Sequence, residues 1–166
     1  MDRPVRQFAD AATEAGCAVE RTADGGFEST LGDSLDAPAV GTPLPFDGLG
    51  LPSAVTLDPT PDDLARAAVG VTPARFGIAE YGSIGIESTI GGEQGASLWS
   101  AHHVAILAAS DVVADMAAAV ERIDELAAEG ADVVIATGPS ATADMGELVV
   151  GAHGPERTTV IVLEDR

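Results

Sequence analysis

Glu80 closes an apolar run, Phe76-Gly-Ile-Ala-Glu80, and stands directly before Tyr81-Gly-Ser83. A carboxylate at a strand end is partly desolvated, which raises its pKa and suits it to work as acid, base or nucleophile. The plainer role is to accept backbone hydrogen bonds from the turn. Tyr81, on the opposite face by strand alternation, reads as a packing residue with a wet hydroxyl. The second chemical segment is Thr137-Gly-Pro-Ser-Ala-Thr-Ala-Asp144, a run of small residues directly after an apolar stretch. In an open α/β sheet, ligands sit at that edge, and main-chain N–H groups with the Ser140 and Thr142 hydroxyls would hold a phosphate or carboxylate. The segment lacks the lysine of a phosphate-binding loop and the glycine spacing of a dinucleotide fingerprint. Its structural alternative is a strand-to-helix turn capped by Ser140 or Asp144. Third, Gly151-Ala-His-Gly-Pro155 sets His153 between glycines, as a turn residue or as a proton carrier at a site's rim. His102 and His103 are neighbours in a strand and so leave opposite faces, which prevents joint metal ligation. The candidate set is therefore Glu80 and His153 for chemistry, with Gly82, Ser83, Thr137, Gly138, Ser140, Thr142 and Asp144 for ligand binding, and no metal site.

These residues need elements to position them. Val5, Phe8, Ala9, Ala12 and Ala15 fall on one face of a helix over 3–15, with Asp2 as its cap and Gly16 as its stop. Cys17–Thr22 reads as a strand, and a second is expected from Phe27. Residues 32–52 hold many glycines and prolines and no period, which predicts a long loop. A strand at Ala54–Leu57 is followed by Thr60-Pro-Asp-Asp63, a helix start with a capping hydroxyl and an N1 proline, and the helix is expected to reach Gly70. Phe76–Glu80 and Ser83–Ile90 predict a hairpin turning at Gly82. Gly91–Gly95 reads as a turn, His103–Ala108 as a strand, and Asp111–Glu129 as a helix with Val112, Met116, Val120, Ile123 and Ala127 inward. Strands at Asp132–Thr137 and Thr158–Leu163 complete the order. Strand, helix, strand in succession implies parallel crossovers, hence an α/β fold with a mainly parallel sheet flanked by helices.

Composition bounds the function. The chain has 166 residues and 46% hydrophobic content, enough for one domain with a core. It carries 27 acidic residues against 8 basic ones, all arginine, for a net charge of −19. That field repels nucleic acid and anionic membranes. The acids are scattered, as on the coat of a folded domain, and we read them as salt adaptation. A single cysteine, Cys17, permits no internal disulfide and no self-held iron–sulfur cluster, so redox chemistry must come from a partner. With no apolar run of about 18 residues and no apolar leader, a cytoplasmic chain is expected.

Val69-Gly-Val-Thr72, Phe76-Gly-Ile-Ala-Glu-Tyr-Gly-Ser83, His103-Val-Ala-Ile-Leu-Ala108, Thr137-Gly-Pro-Ser-Ala-Thr-Ala-Asp-Met145 and Gly151-Ala-His-Gly-Pro155 together resemble the LUD domain of the LutC/YkgG lactate-utilisation family. The resemblance covers about residues 54 to 163, so residues 1–166 are read as one LUD domain with 1–53 a looser helix and loop. It departs at Tyr81, where the family usually has threonine. The resemblance implies a fold like the NagB/RpiA/CoA-transferase group. It also implies a part in oxidising L-lactate to pyruvate beside iron–sulfur subunits, this chain holding no cofactor of its own. The expected function is thus an accessory or small-ligand-binding subunit of that system, with an anionic group held at 138–144, Glu80 closing the site and His153 at its rim. Two alternatives differ in class. In family I CoA transferases a glutamate two places before a glycine attacks the acyl-CoA, and Glu80-Tyr-Gly82 is similar, which would make this an enzyme acting on a CoA thioester or phosphorylated metabolite. A scaffold with no surviving site is the other.

Overall fold

The computed structural model describes residues 3–144 and 146–166. Its frame is a six-stranded parallel sheet, with strands numbered along the chain. Side by side lie β1 (Ala18–Thr22), β12 (Arg157–Leu163), β7 (His102–Ala108), β4 (Val69–Ala74), β2 (Ala39–Gly41) and β3 (Val55–Leu57). Alternation along the central strands builds two cores. Val69, Val71, Val104, Ile106, Ile161 and Leu163 face one side, where helix α2 (Phe27–Gly32) covers them with Phe27 and Leu31. Ala74, Ala105, Leu107, Val160 and Val162 face the other, against Val5, Phe8 and Ala12 of helix α1 (Arg3–Glu14). Strands covered on both faces are the expected companions of parallel pairing.

A second, four-stranded sheet lies on the α1 side, in the order β8 (Val112–Val113), β5 (Phe76–Ile78), β6 (Ser83–Ser88), β9 (Asp132–Ala136). The expected hairpin is there: β5 and β6 pair antiparallel, and Gly82 turns the chain at φ +65°. Helix α5 (Met116–Ala128) packs Ala119 and Leu126 on Phe76 and Ile78, on the outer face of this sheet. The short ribbon of β10 (Ala141–Asp144) and β11 (Glu147–Val150) pairs only with itself.

Helix α3 (Pro61–Arg66) starts as expected, with a capping box in which the Thr60 hydroxyl accepts from the Asp63 amide and the Asp63 carboxylate accepts from the Thr60 amide. It stops at Arg66 rather than Gly70, because Val69 and Gly70 belong to β4. Gly70 has to be a glycine there, since a Cβ would collide with the Ala96 carbonyl of helix α4 (Glu93–Trp99). The turn expected over 91–95 is kept at Gly91, while that helix takes its second half from Glu93 on. The one glycine of α4, Gly95, weakens helix propensity, but Ala96 and Ser97 gain a buried seat.

Four other expectations are corrected. The segment from Phe27 is helical, with Phe27 and Leu31 one turn apart and both buried. The 32–52 loop contains β2, inserted between β3 and β4 and too short to show a period, while Leu44, Phe46, Leu49 and Leu51 pack on the core. In α5 the inward residues are Ala119, Ile123 and Leu126, because the helix starts at Met116 behind an Asp115 cap and leaves Met116 and Val120 exposed. Finally, β9 does not join the parallel sheet: it runs antiparallel to β6. Asp2, the expected α1 cap, lies outside the described residues.

Candidate functional site

The two chemical segments do converge. Ser83, first residue of β6, and Thr137, just past β9, share a hydroxyl–hydroxyl hydrogen bond of 2.7 Å. Antiparallel pairing forces this meeting, since the β6–β9 register sets Ile84 opposite Ala136. What fills the space beside them is α1. A Cβ on Gly82 would collide with the backbone of Ala12, and a Cβ on Gly138, at φ +68°, with the Ala15 carbonyl. Both glycines therefore serve as close-approach points for the end of α1. The hollow expected between an acidic side chain and a bed of main-chain donors is occupied there by helix backbone.

The donors themselves are spent inside the fold. The Gly138 amide donates to the buried Cys17 thiol, whose pKa burial nonetheless raises. The Ser140 amide donates to the Pro155 carbonyl at 2.8 Å, and the Ser140 carbonyl accepts from Gly151 at 2.9 Å. Residues 141–144 enter the β10–β11 ribbon instead of a helix, so no helix N-terminus faces a ligand here. Thr142, with Ala143, Val149, Ala152 and an exposed His153, lines a depression of about 340 Å³. The site residues thus divide into two groups joined through Pro139. Gly82, Ser83, Thr137 and Gly138 gather beside the end of α1, with Glu80 exposed on the adjoining turn, while Ser140, Thr142 and His153 sit at or next to the ribbon. Asp144 has its backbone in β10, and its side chain lies outside what is described.

Glu80 is exposed rather than desolvated, because the strand ends at Ile78 and residues 79–82 form the turn. Its amide donates to the Ala114 carbonyl at 3.1 Å, which ties the turn to the chain entering α5. The alternation expected of Tyr81 fails for the same reason. Its ring stays beside Glu80, and that carboxylate's charge, then desolvation, push the phenol pKa up.

The two neighbouring histidines behave as their parity dictates. His103 Nε2 lies 2.9 Å from the Thr72 hydroxyl, and His102 Nε2 lies 2.8 Å from the Thr159 hydroxyl on the opposite face. Burial lowers both pKa values, that of His103 to about 4. They are neutral core residues. No group of three or more His, Cys, Asp or Glu side chains suited to a metal occurs among the described residues.

A parallel sheet backed by a second sheet and closed by helices defines an α/β protein of the kind that carries its sites on loops at sheet edges. Within that class the chain belongs to the LUD domain family, whose model matches residues 57–163. It is 36% identical over 104 residues to lactate utilization protein C of Shouchella clausii (strain KSM-K16), covering 60% of this chain and 45% of that protein. It is 34% identical over 106 residues to lactate utilization protein C of Bacillus subtilis (strain 168), covering 61% and 44%. Against the protein YkgG of Escherichia coli (strain K12) it is 31% identical over 105 residues, covering 60% and 46%. The aligned part is thus less than half the length of these relatives. A crystal structure of a DUF162-family protein from Deinococcus radiodurans superposes with a TM-score of 0.77 over 97% of this chain and 96% of that one, at 22% identity, which shows the fold.

Sequence reasoning missed the role of α1 at this site. The signal was present in Ala11, Ala12 and Ala15, small residues that let backbone approach the two glycines.

Proposed function

We propose that this chain is a LutC-like accessory subunit in the oxidation of L-lactate, or a related organic acid, to pyruvate, working beside partner subunits that hold the iron–sulfur clusters. Family membership and the names of its relatives support the pathway. The structural observation that carries the accessory role is the β10–β11 ribbon. A two-stranded ribbon paired only to itself is marginal in water. This one also leaves Leu148 73%, Val149 38% and Val150 49% exposed. Aliphatic surface of that kind gains by being covered. The Thr142 hydroxyl on the ribbon and His153 in the bend after β11 line one depression and supply a hydrogen-bonding rim for a carboxylate, from a substrate or from the partner, and Asp144 and Ser140 flank Thr142 in sequence.

The test is co-purification of the full chain in molar salt. The expected result is association with a protein carrying iron and acid-labile sulfide, lost in a Leu148→Asp, Val150→Asp double variant that keeps the melting point of the parent. An absence of any iron–sulfur protein, together with no thermal stabilisation by lactate or pyruvate, would remove the reading.

A further inference from the structure

A cavity of about 500 Å³ opens at the carboxyl ends of the parallel strands, lined by none of the candidate site residues. Arg75 follows β4 directly, Ser110 and Asp111 follow β7, Arg166 follows β12, and Phe46 lies on the segment after β2, all of them lining it. The topology singles out this place. β2 runs on to β3 on one side of it, whereas the next strand of the sheet after β4 is β7, on the other. Where connections diverge in this way, the loops part and leave a crevice.

Its charge contrasts with that of the molecule. Three of the chain's eight arginines, Arg75, Arg122 and Arg166, line it, against three carboxylates, Asp111, Glu125 and Glu129. A ratio of one to one is a local relief from a chain in which acids outnumber bases 27 to 8. The guanidinium groups are held by neighbours: Arg75 Nε by Glu87 at 3.2 Å, Arg122 by Asp111 at 3.1 Å and Glu125 at 3.5 Å, and Arg166 by Asp24. Such pairing fixes orientation without using up a five-donor group. Arg75 meets Glu87 most closely through its Nε, and its side chain is 38% exposed. The half-buried Phe46 supplies the apolar part of the cavity's lining, with the edge of the nearly buried Leu126.

We infer that this cavity is a binding site for an organic anion, with an oxyanion head on Arg75 and Arg122 and an apolar or aromatic body against Phe46. The volume lies within the range of small-molecule sites and exceeds what a three-carbon acid fills. The head is a carboxylate or a phosphate ester, two chemistries that the same guanidinium fork accepts. The site is separate from the ribbon and does not depend on the lactate reading.

Calorimetric titration of the full chain at fixed ionic strength tests it, with benzoate, adenosine monophosphate, inorganic phosphate and L-lactate as probes. Saturable one-to-one binding of benzoate or the nucleotide is expected, stronger than that of phosphate or lactate, and which of the two binds identifies the head. Arg75→Gln and Arg122→Gln should each weaken it about tenfold or more, whereas Arg66→Gln, on exposed α3, should not. Two folded variants allow for the failure of one to fold. No saturable binding of any probe overturns the inference, and so does an equal loss in Arg66→Gln, which would mark charge attraction alone. Binding that persists in the Leu148→Asp, Val150→Asp protein keeps this result apart from the fate of the accessory-subunit proposal.

Discussion

At the scale of single residues, burial rather than catalysis governs the histidines. His103 is inside the sheet with only the Thr72 hydroxyl beside its Nε2, and its pKa falls from 6.5 to about 4. The unfolded chain takes up a proton below pH 6.5, while the folded one refuses it until about pH 4. Stability from this group is therefore complete above pH 6.5 and lost as the pH drops toward 4. The full loss amounts to about 3 kcal/mol, taking about 1.4 kcal/mol per pKa unit. Many carboxylates titrate nearby, so the measurement has to be a difference. Unfolding free energies of the parent and His103→Gln, compared from about pH 7 down to about pH 4.5, should converge by most of that amount. A constant gap across the range would show that His103 titrates normally. Glu80 shows the converse. Sequence placed it beside an apolar strand, but two turn residues were enough to carry its side chain into water, a displacement that residue spacing alone does not reveal.

Elements were most legible where a single local force decides them. The Thr60 capping box, the β5–β6 hairpin at Gly82 and the apolar strands β7 and β12 each follow from local pattern. What pattern did not show was which sheet a strand joins. β9 has the aliphatic run of a parallel strand, but β6 offers it an antiparallel edge, and that pairing is what brings Thr137 to Ser83. Short elements such as β2 and α4 owe their existence to tertiary seats, so no periodicity announces them. The same logic makes Gly82 and Gly138 structural contacts of α1. Gly82→Ala would place a methyl group against the Ala12 backbone at a φ of +65°, so α1 would have to lift from the hairpin. A loss on the order of 3 kcal/mol or more is expected, combining backbone strain with lost packing of Phe8 and Ala12. Denaturant melts would register it, and Cys17, buried under that helix in the parent, should become accessible to a thiol reagent in the variant. A Gly82→Ala variant as stable as its parent would mean that α1 does not pack there in solution.

For the whole molecule, the surplus of 19 negative charges is the dominant long-range term. Eight arginines can neutralise only 8 of the 27 acidic charges, which leaves 19 uncompensated. Ion pairs do form, among them Arg21–Glu164 and Arg157–Asp36, but they lie at the surface, where such pairs contribute little. Folding gathers the surplus carboxylates onto one small surface, so repulsion opposes the native state more than the unfolded one. Screening should relieve it: the Debye length falls from about 10 Å at 0.1 M salt to about 3 Å at 1 M. We therefore propose that the chain is adapted to high salt. Each kcal/mol recovered raises the melting point of a domain this size by about 2–4 °C, so a rise of about 5 °C or more from 0.1 M to 3 M KCl is expected. The shape of the curve matters as much as its height. Screening acts mostly below about 1 M, where the Debye length is still changing, and then levels off. Salt that merely strengthens apolar burial acts through exclusion from the protein surface and keeps rising with concentration. A plateau near about 1 M supports electrostatic relief. A melting point unchanged between the two limits would show that the acidic coat carries no energetic penalty in dilute salt, and the adaptation reading would fall with it.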